Sequence, residues 1–154
     1  MTDVEVERTI AAAPEKVWAL VSDVTRMGEW SPETVGCDWV GDPKEPVIGA
    51  RFKGRNQSGW RKWSTVCTVV EAAAGKSFVF DVKAGPFDIS RWEYTFEQAD
   101  GGTRVTESWT ERRPKLMELM SRPIMGISDR ASHNRATMQA TLERLAAAAE
   151  RADA

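Results

Sequence analysis

The 154-residue sequence predicts an α+β fold. A curved antiparallel sheet of about six or seven strands wraps around one long C-terminal helix, with two short helices after the first strand and an internal cavity. Three observations carry this. Apolar residues alternate with period two from about Thr34 to Arg113, the mark of an antiparallel sheet with one buried and one wet face. After Pro114 the pattern turns helical: Ile127, Ala131, Met138, Leu142, Leu145 and Ala149 recur at helical spacing as one apolar stripe. One helix carries less bulk than the inner sheet face, so the two surfaces meet at one end and leave space at the other.

In chain order, VEVERTI alternates and reads as a strand, with Val4, Val6, Arg8 and Ile10 on one face. APEKVWALVSDV follows with Pro14 at a first helical position and Val17, Trp18, Leu20, Val21 and Val24 at helical spacing. Gly28 and Pro32 break that helix and leave room for one short turn carrying Trp30. TVGCDWVG is a short strand. ARFKGRNQSG and WRKWSTVCTVVEA form a hairpin turning near Ser58 and Gly59. KSFVFDVKA places Phe78, Phe80 and Val82 on one face. FDISRWEYTFEQA does the same with Trp92, Tyr94 and Phe96, and ADGG turns it into GGTRVTESWTERR. The Met-rich KLMELMSRPIMG is interrupted at Pro123 and Gly126, so a kink or loop is expected there.

The length suits one domain over residues 1–154. A formal net charge of -2 disfavours nucleic acid as a partner, because such partners select a strongly basic face. The charged N-terminus lacks the apolar region of a signal peptide, and no apolar run reaches the roughly 20 residues of a membrane span. A cytoplasmic location without integral membrane association is the expectation, with Cys37 and Cys67 as reduced thiols. Oligomeric state stays open.

Several chemistries lack their residues. His133 is the only histidine and falls opposite the Met138 and Leu145 stripe, so it is expected to face solvent. A nucleophile–histidine arrangement would need it in the pocket. One histidine and two separated cysteines make no metal site. VEAAAGKS ends like a phosphate-binding loop, yet Val70 replaces the first glycine and a strand follows, so it reads as a hairpin turn at Gly75. No cofactor is assigned.

The stretch AAAPEKVWALVSDVTRMGEWSPE, followed by GARFKGRNQSG, Trp63 and DGGTRVTES, resembles the START/Bet v 1-like superfamily (SRPBCC) in its polyketide cyclase/dehydrase branch. The resemblance covers essentially the whole chain. It implies the helix-grip fold, with a hydrophobic ligand cavity between the sheet and the C-terminal helix. It does not imply one reaction, since fold is a weak guide to chemistry.

Within that frame the alternation selects an inner wall. Phe52 brings Asn56 with it, Trp63 brings Thr65 and Cys67, and Ser90 shares a face with Trp92 and Tyr94. Phe80, Trp30 and Trp109 add aromatic surface, and Asn134 falls within the stripe of Met138. Such aromatics serve either as core or as pocket lining. Met120, with Met117 and Met125, is either gap-filling core or an adaptable gate over the cavity.

Glu107 stands out, because Val105 and Trp109 put it on the inward face. It either pairs with a basic side chain or the wet end of the sheet, or it is a carboxyl in an apolar pocket whose pKa desolvation raises. Arg61 shares the facing of Trp63 and is a possible partner. Three functions are compatible: binding of a hydrophobic, lipid-like or aromatic small molecule; cyclase/aromatase catalysis in the same cavity with Glu107, Tyr94 or Asn56 moving protons; or a protein-interaction role with an idle cavity.

Overall fold

The computed structural model describes residues 2–113 and 130–151. Strand β1 (Val4–Ile10) leads to α1 (Pro14–Ser22) and a 3-10 helix (Val24–Glu29). Six further strands follow: β2 (Thr34–Val40), β3 (Arg51–Ser58), β4 (Arg61–Ala73), β5 (Ser77–Ala84), β6 (Phe87–Ala99) and β7 (Gly102–Glu111). Helix α2 (Arg130–Arg151) ends the described chain. The strands form one antiparallel sheet in the order β1-β7-β6-β5-β4-β3-β2.

Local chemistry explains the boundaries. Pro14 opens α1 where its missing N–H costs nothing, and Glu15 sits favourably in the first turn. Asp23 ends α1 and starts the 3-10 helix, its side chain accepting from the Thr25 backbone N–H at 3.2 Å. Gly75 adopts φ +74° in the β4–β5 turn, a conformation costly for other residues, so the phosphate-loop-like VEAAAGKS is indeed a hairpin turn.

Alternation holds along the sheet. Phe52 and Gly54 are buried on β3 while Arg51, Lys53 and Arg55 are exposed. On β4 the alternation carries through Trp63, Thr65, Cys67 and Val69, which buries Cys67 and Val69 and leaves Val66 exposed, and the register shifts only beyond them, between Val69 and Glu71. Further shifts between Thr34 and Gly36 and between Val82 and Lys83 add bend where the sheet curves around the helix. On β1, Arg8 breaks the inward pattern and is exposed, while Val4, Val6 and Ile10 are buried.

Helix α2 packs against β1, β7 and α1. Met138, Leu142, Leu145 and Ala149 are buried as the stripe requires, whereas Ala131 is exposed. Ile127 lies outside the described residues. At one end, Ile10, Val17, Phe78, Val105 and Leu145 are fully buried and close the core. Burying each such side chain contributes about 1.5–3 kcal/mol. The Trp18 indole donates to the Ser77 carbonyl at 2.7 Å, and the Thr103 hydroxyl donates to the Ala12 carbonyl at 2.7 Å. These bonds fix α1 over the closed end and leave the other end of the sheet to form a cavity.

Candidate functional site

A cavity of about 350 Å³ lies between the inner sheet face and α2. That is within the roughly 300–1,000 Å³ typical of small-molecule sites. The structure places Phe52, Asn56, Trp63, Phe80, Ser90, Trp92, Tyr94, Glu107, Trp109, Asn134 and Met138 on its wall. Asn56, Trp63 and Trp92 are half-buried, while Phe52, Tyr94, Glu107 and Trp109 are buried, so the polar pair of Glu107 and Tyr94 belongs to the inner part.

Two expectations are corrected. Trp30 is buried in the core and does not line the cavity; the Arg26 guanidinium lies 5.3 Å from its ring centre. His133 does not simply face solvent: its Nε2 is 2.8 Å from Glu33 Oε2, which ties α2 to the segment before β2. Glu33 itself lines the cavity. Met120, Met117 and Met125 lie outside the described residues.

Glu107 is 1 % exposed. It stands opposite Tyr94 in the β6–β7 register, and the Tyr94 hydroxyl donates to Glu107 Oε2 at 2.8 Å. Its other oxygen, Oε1, is buried and has no hydrogen-bond partner among the described residues. The Arg61 guanidinium lies 4.4 Å over the Trp60 ring, and among the described residues Glu107 bonds to Tyr94 instead. Burial raises the Glu107 pKa to about 8, and the Tyr94 hydrogen bond restrains the rise. Burial, reinforced by Glu107, pushes the Tyr94 hydroxyl well above its usual range and keeps it a donor. The site therefore holds a neutral carboxylic acid beside a neutral phenol at pH 7.

The remaining polar groups are balanced otherwise. Glu111 and Arg113 line the cavity as an ion pair, with Nη2 and Oε2 2.7 Å apart and a second bond from Nε at 2.8 Å. Cys37 and Cys67 are free, buried thiols on the wall. Burial pushes the Cys37 pKa up to about 11 and that of Cys67 higher still. Among the described residues, no three of His, Cys, Asp or Glu come together to hold a metal ion.

Sequence reasoning missed much of the side and end walls: Glu33, Ile89, Glu111, Arg113, Thr137 and Thr141 all contribute. Thr137 and Thr141 follow Asn134 at helical spacing and were readable in principle. Glu33 comes from an aperiodic segment and was not.

No helix of the described residues is long and apolar enough to cross a membrane. No curated protein matches the chain in sequence. Among solved structures, the Polyketide_cyc-like protein Cgl2372 from Corynebacterium glutamicum is 33% identical, with 98% of this chain and 91% of that one covered and a TM-score of 0.59. The di-domain ARO/CYC StfQ from the steffimycin biosynthetic pathway superposes with a TM-score of 0.72 at 15% identity, over 98% of this chain and 52% of that one. Ginseng major latex-like protein 151 from Panax ginseng gives 0.71 at 12% identity, over 95% of each chain. At such low identity these two share the fold alone, and with the observed element order they establish it as the helix-grip, Bet v 1-like fold. Residues 1–150 match the family described as polyketide cyclase/dehydrase and lipid transport, and the chain belongs to that family.

Proposed function

We propose that this protein binds a hydrophobic small molecule, aromatic or lipid-like, in the cavity between its sheet and α2. The observation that carries the reading is the cavity of about 350 Å³, walled by Phe52, Phe80, Trp92, Trp109 and Met138 with one buried polar pair, Glu107 and Tyr94. Apolar lining supplies affinity by removing ligand surface from water, and a few polar groups fix orientation. Membership of a family described as including lipid transport supports the same reading.

A second reading, cyclase- or dehydrase-type catalysis in the same cavity, draws support from the same pair. A carboxyl with its pKa near 8 exchanges protons close to neutral pH, as a general acid or base must. The two readings share a site and differ in whether the occupant leaves changed.

Native mass spectrometry of the protein purified gently from its own host tests the binding reading. A discrete added mass, released on denaturation, is expected. A bare mass that stays bare after incubation with hydrophobic extracts of that host would sink it.

A further inference from the structure

We propose that the cavity selects an uncharged, largely apolar ligand bearing a carbonyl or similar oxygen acceptor, and that Glu107, as a neutral carboxylic acid, donates its Oε1 proton to that oxygen. The inference rests on the hydrophobic-ligand reading and specifies the chemistry of its polar end.

Hydrogen-bond accounting at the pair leads there. A phenol has one proton, and that of Tyr94 is committed to Glu107 Oε2. Oε2 is thus the accepting, carbonyl-type oxygen of the acid, and the acid proton belongs on Oε1. Oε1 is buried without a partner among the described residues, on a side chain that lines the cavity. A buried donor left unsatisfied is costly, and an acceptor on a ligand removes that cost.

The described surroundings disfavour a charged ligand end. Across the sheet, Glu107 pairs with Val6 on β1 and Tyr94 on β6, and α2 faces the cavity with Asn134, Thr137, Met138 and Thr141, none of them charged. The other charged groups among the described wall residues are held elsewhere: Glu33 by His133, and Arg113 by Glu111. The two thiols stay neutral because burial raises their pKa values. An anionic head at this end of the cavity would meet a carboxyl and a phenol with, among the described residues, no cation beside them. Desolvating it there without an opposite charge is unfavourable. The raised pKa of Glu107, about 8, agrees with a proton held at neutral pH.

The test uses the full-length protein and a matched probe pair. One probe is 6-propionyl-2-dimethylaminonaphthalene, an uncharged ketone whose emission reports polarity and hydrogen bonding. The other is the corresponding 2-naphthoate, which carries a carboxylate in place of the ketone. Fluorescence titrations are run from about pH 6 to about pH 10 on the wild type, Glu107→Gln and Glu107→Leu. For the wild type, ketone affinity should be flat below pH 8 and fall roughly tenfold for each unit above it, because only the protonated acid donates. Glu107→Gln keeps an N–H donor and cannot ionise, so it should bind the ketone within a few-fold of the wild type at every pH. Glu107→Leu should bind it at least tenfold more weakly, and the naphthoate should be at least tenfold weaker than the ketone at neutral pH. Ketone affinity that is flat or rises with pH, or that is indifferent to Glu107→Leu, overturns the inference while leaving a hydrophobic cavity in place. Equal binding of ketone and naphthoate does the same. If neither probe binds any variant, the hydrophobic-ligand reading fails and this inference with it.

Discussion

The Tyr94 hydroxyl reaches Glu107 Oε2 at 2.8 Å across the β6–β7 ladder, so the only partner of a fully buried carboxyl among the described residues is a neutral phenol. This fixes how the protein responds to pH. The folded-state pKa of Glu107 is raised to about 8, above the ordinary carboxyl value of 4.5. The folded state therefore holds a proton more tightly than the unfolded state. Stability is greatest below the unfolded pKa, falls as pH rises through the window from 4.5 to about 8, and levels off above it.

Glu107→Gln removes that titration. The difference in stability between Glu107→Gln and the wild type should shift in favour of the variant by several kcal/mol between pH 5 and pH 8, since each pKa unit corresponds to about 1.4 kcal/mol. Urea unfolding at a series of pH values measures it. Parallel wild-type and variant curves would show that Glu107 titrates normally in the fold.

Tyr94→Phe tests the other partner. The substitution leaves both carboxyl oxygens without a donor, at a cost of about 1–3 kcal/mol. It also removes the one interaction that restrains the rise in the Glu107 pKa. The upper end of the pH window, where stability levels off, should move upward from about 8 in Tyr94→Phe, and the Glu107 contribution should vanish in the double variant with Glu107→Gln. A downward move would mean that Tyr94 stabilises the neutral form.

How far these features were legible in the sequence depends on periodicity. Period two put Glu107 inward between Val105 and Trp109, and the buried positions of β7 agree. Its partner was legible too, had the turn been pinned. Ala99 faces Gly102 across the turn, and stepping outward by equal numbers of residues along both strands brings Tyr94 opposite Glu107. Strand facing alone leaves register free, so by the sequence Arg61 qualifies as a partner equally well. Trp30 escaped because it ends a 3-10 segment with no usable period. The contact of His133 with Glu33 joins residues a hundred positions apart, and a helical pattern says only which face His133 occupies. Periodicity reports what is buried; it does not report which loop closes over a helix flank.

The floor of the cavity offers a substitution that separates binding from folding. Gly54 is buried on β3, and a Cβ there would lie 3.5 Å from Thr65 Oγ1, 3.6 Å from Cys37 Sγ and 3.9 Å from Asn56 Nδ2. All three are ordinary contact distances, so Gly54→Ala should fold and gain about 0.4–1 kcal/mol by restricting the unfolded chain. Gly54→Leu carries three more carbons toward the lining residues of the same wall. It should reduce affinity for a hydrophobic fluorophore by more than about tenfold, the scale of one to two buried methylenes' worth of displaced contact. Retained affinity in a folded Gly54→Leu protein would place the binding surface outside this cavity.

The two thiols report the same cavity from another direction. Cys37 and Cys67 both line it and are 4 % exposed, and burial raises both pKa values, that of Cys37 to about 11. The thiolate is the reactive form, so at pH 8 only on the order of one Cys37 in a thousand would be ionised even if a reagent could reach it. Labelling by iodoacetamide should therefore be at least a hundredfold slower in the native protein than in denaturant. Slow labelling of a buried thiol proceeds through opening of the fold or passage of reagent into the cavity, and a bound ligand blocks the second route. Adding a cavity ligand should slow labelling of Cys37 further in the wild type and leave it unchanged in Gly54→Leu, with mass spectrometry assigning the modified residue. Labelling at the unfolded rate, or a ligand effect that survives the filled cavity, would show that these cysteines do not share the space the ligand occupies.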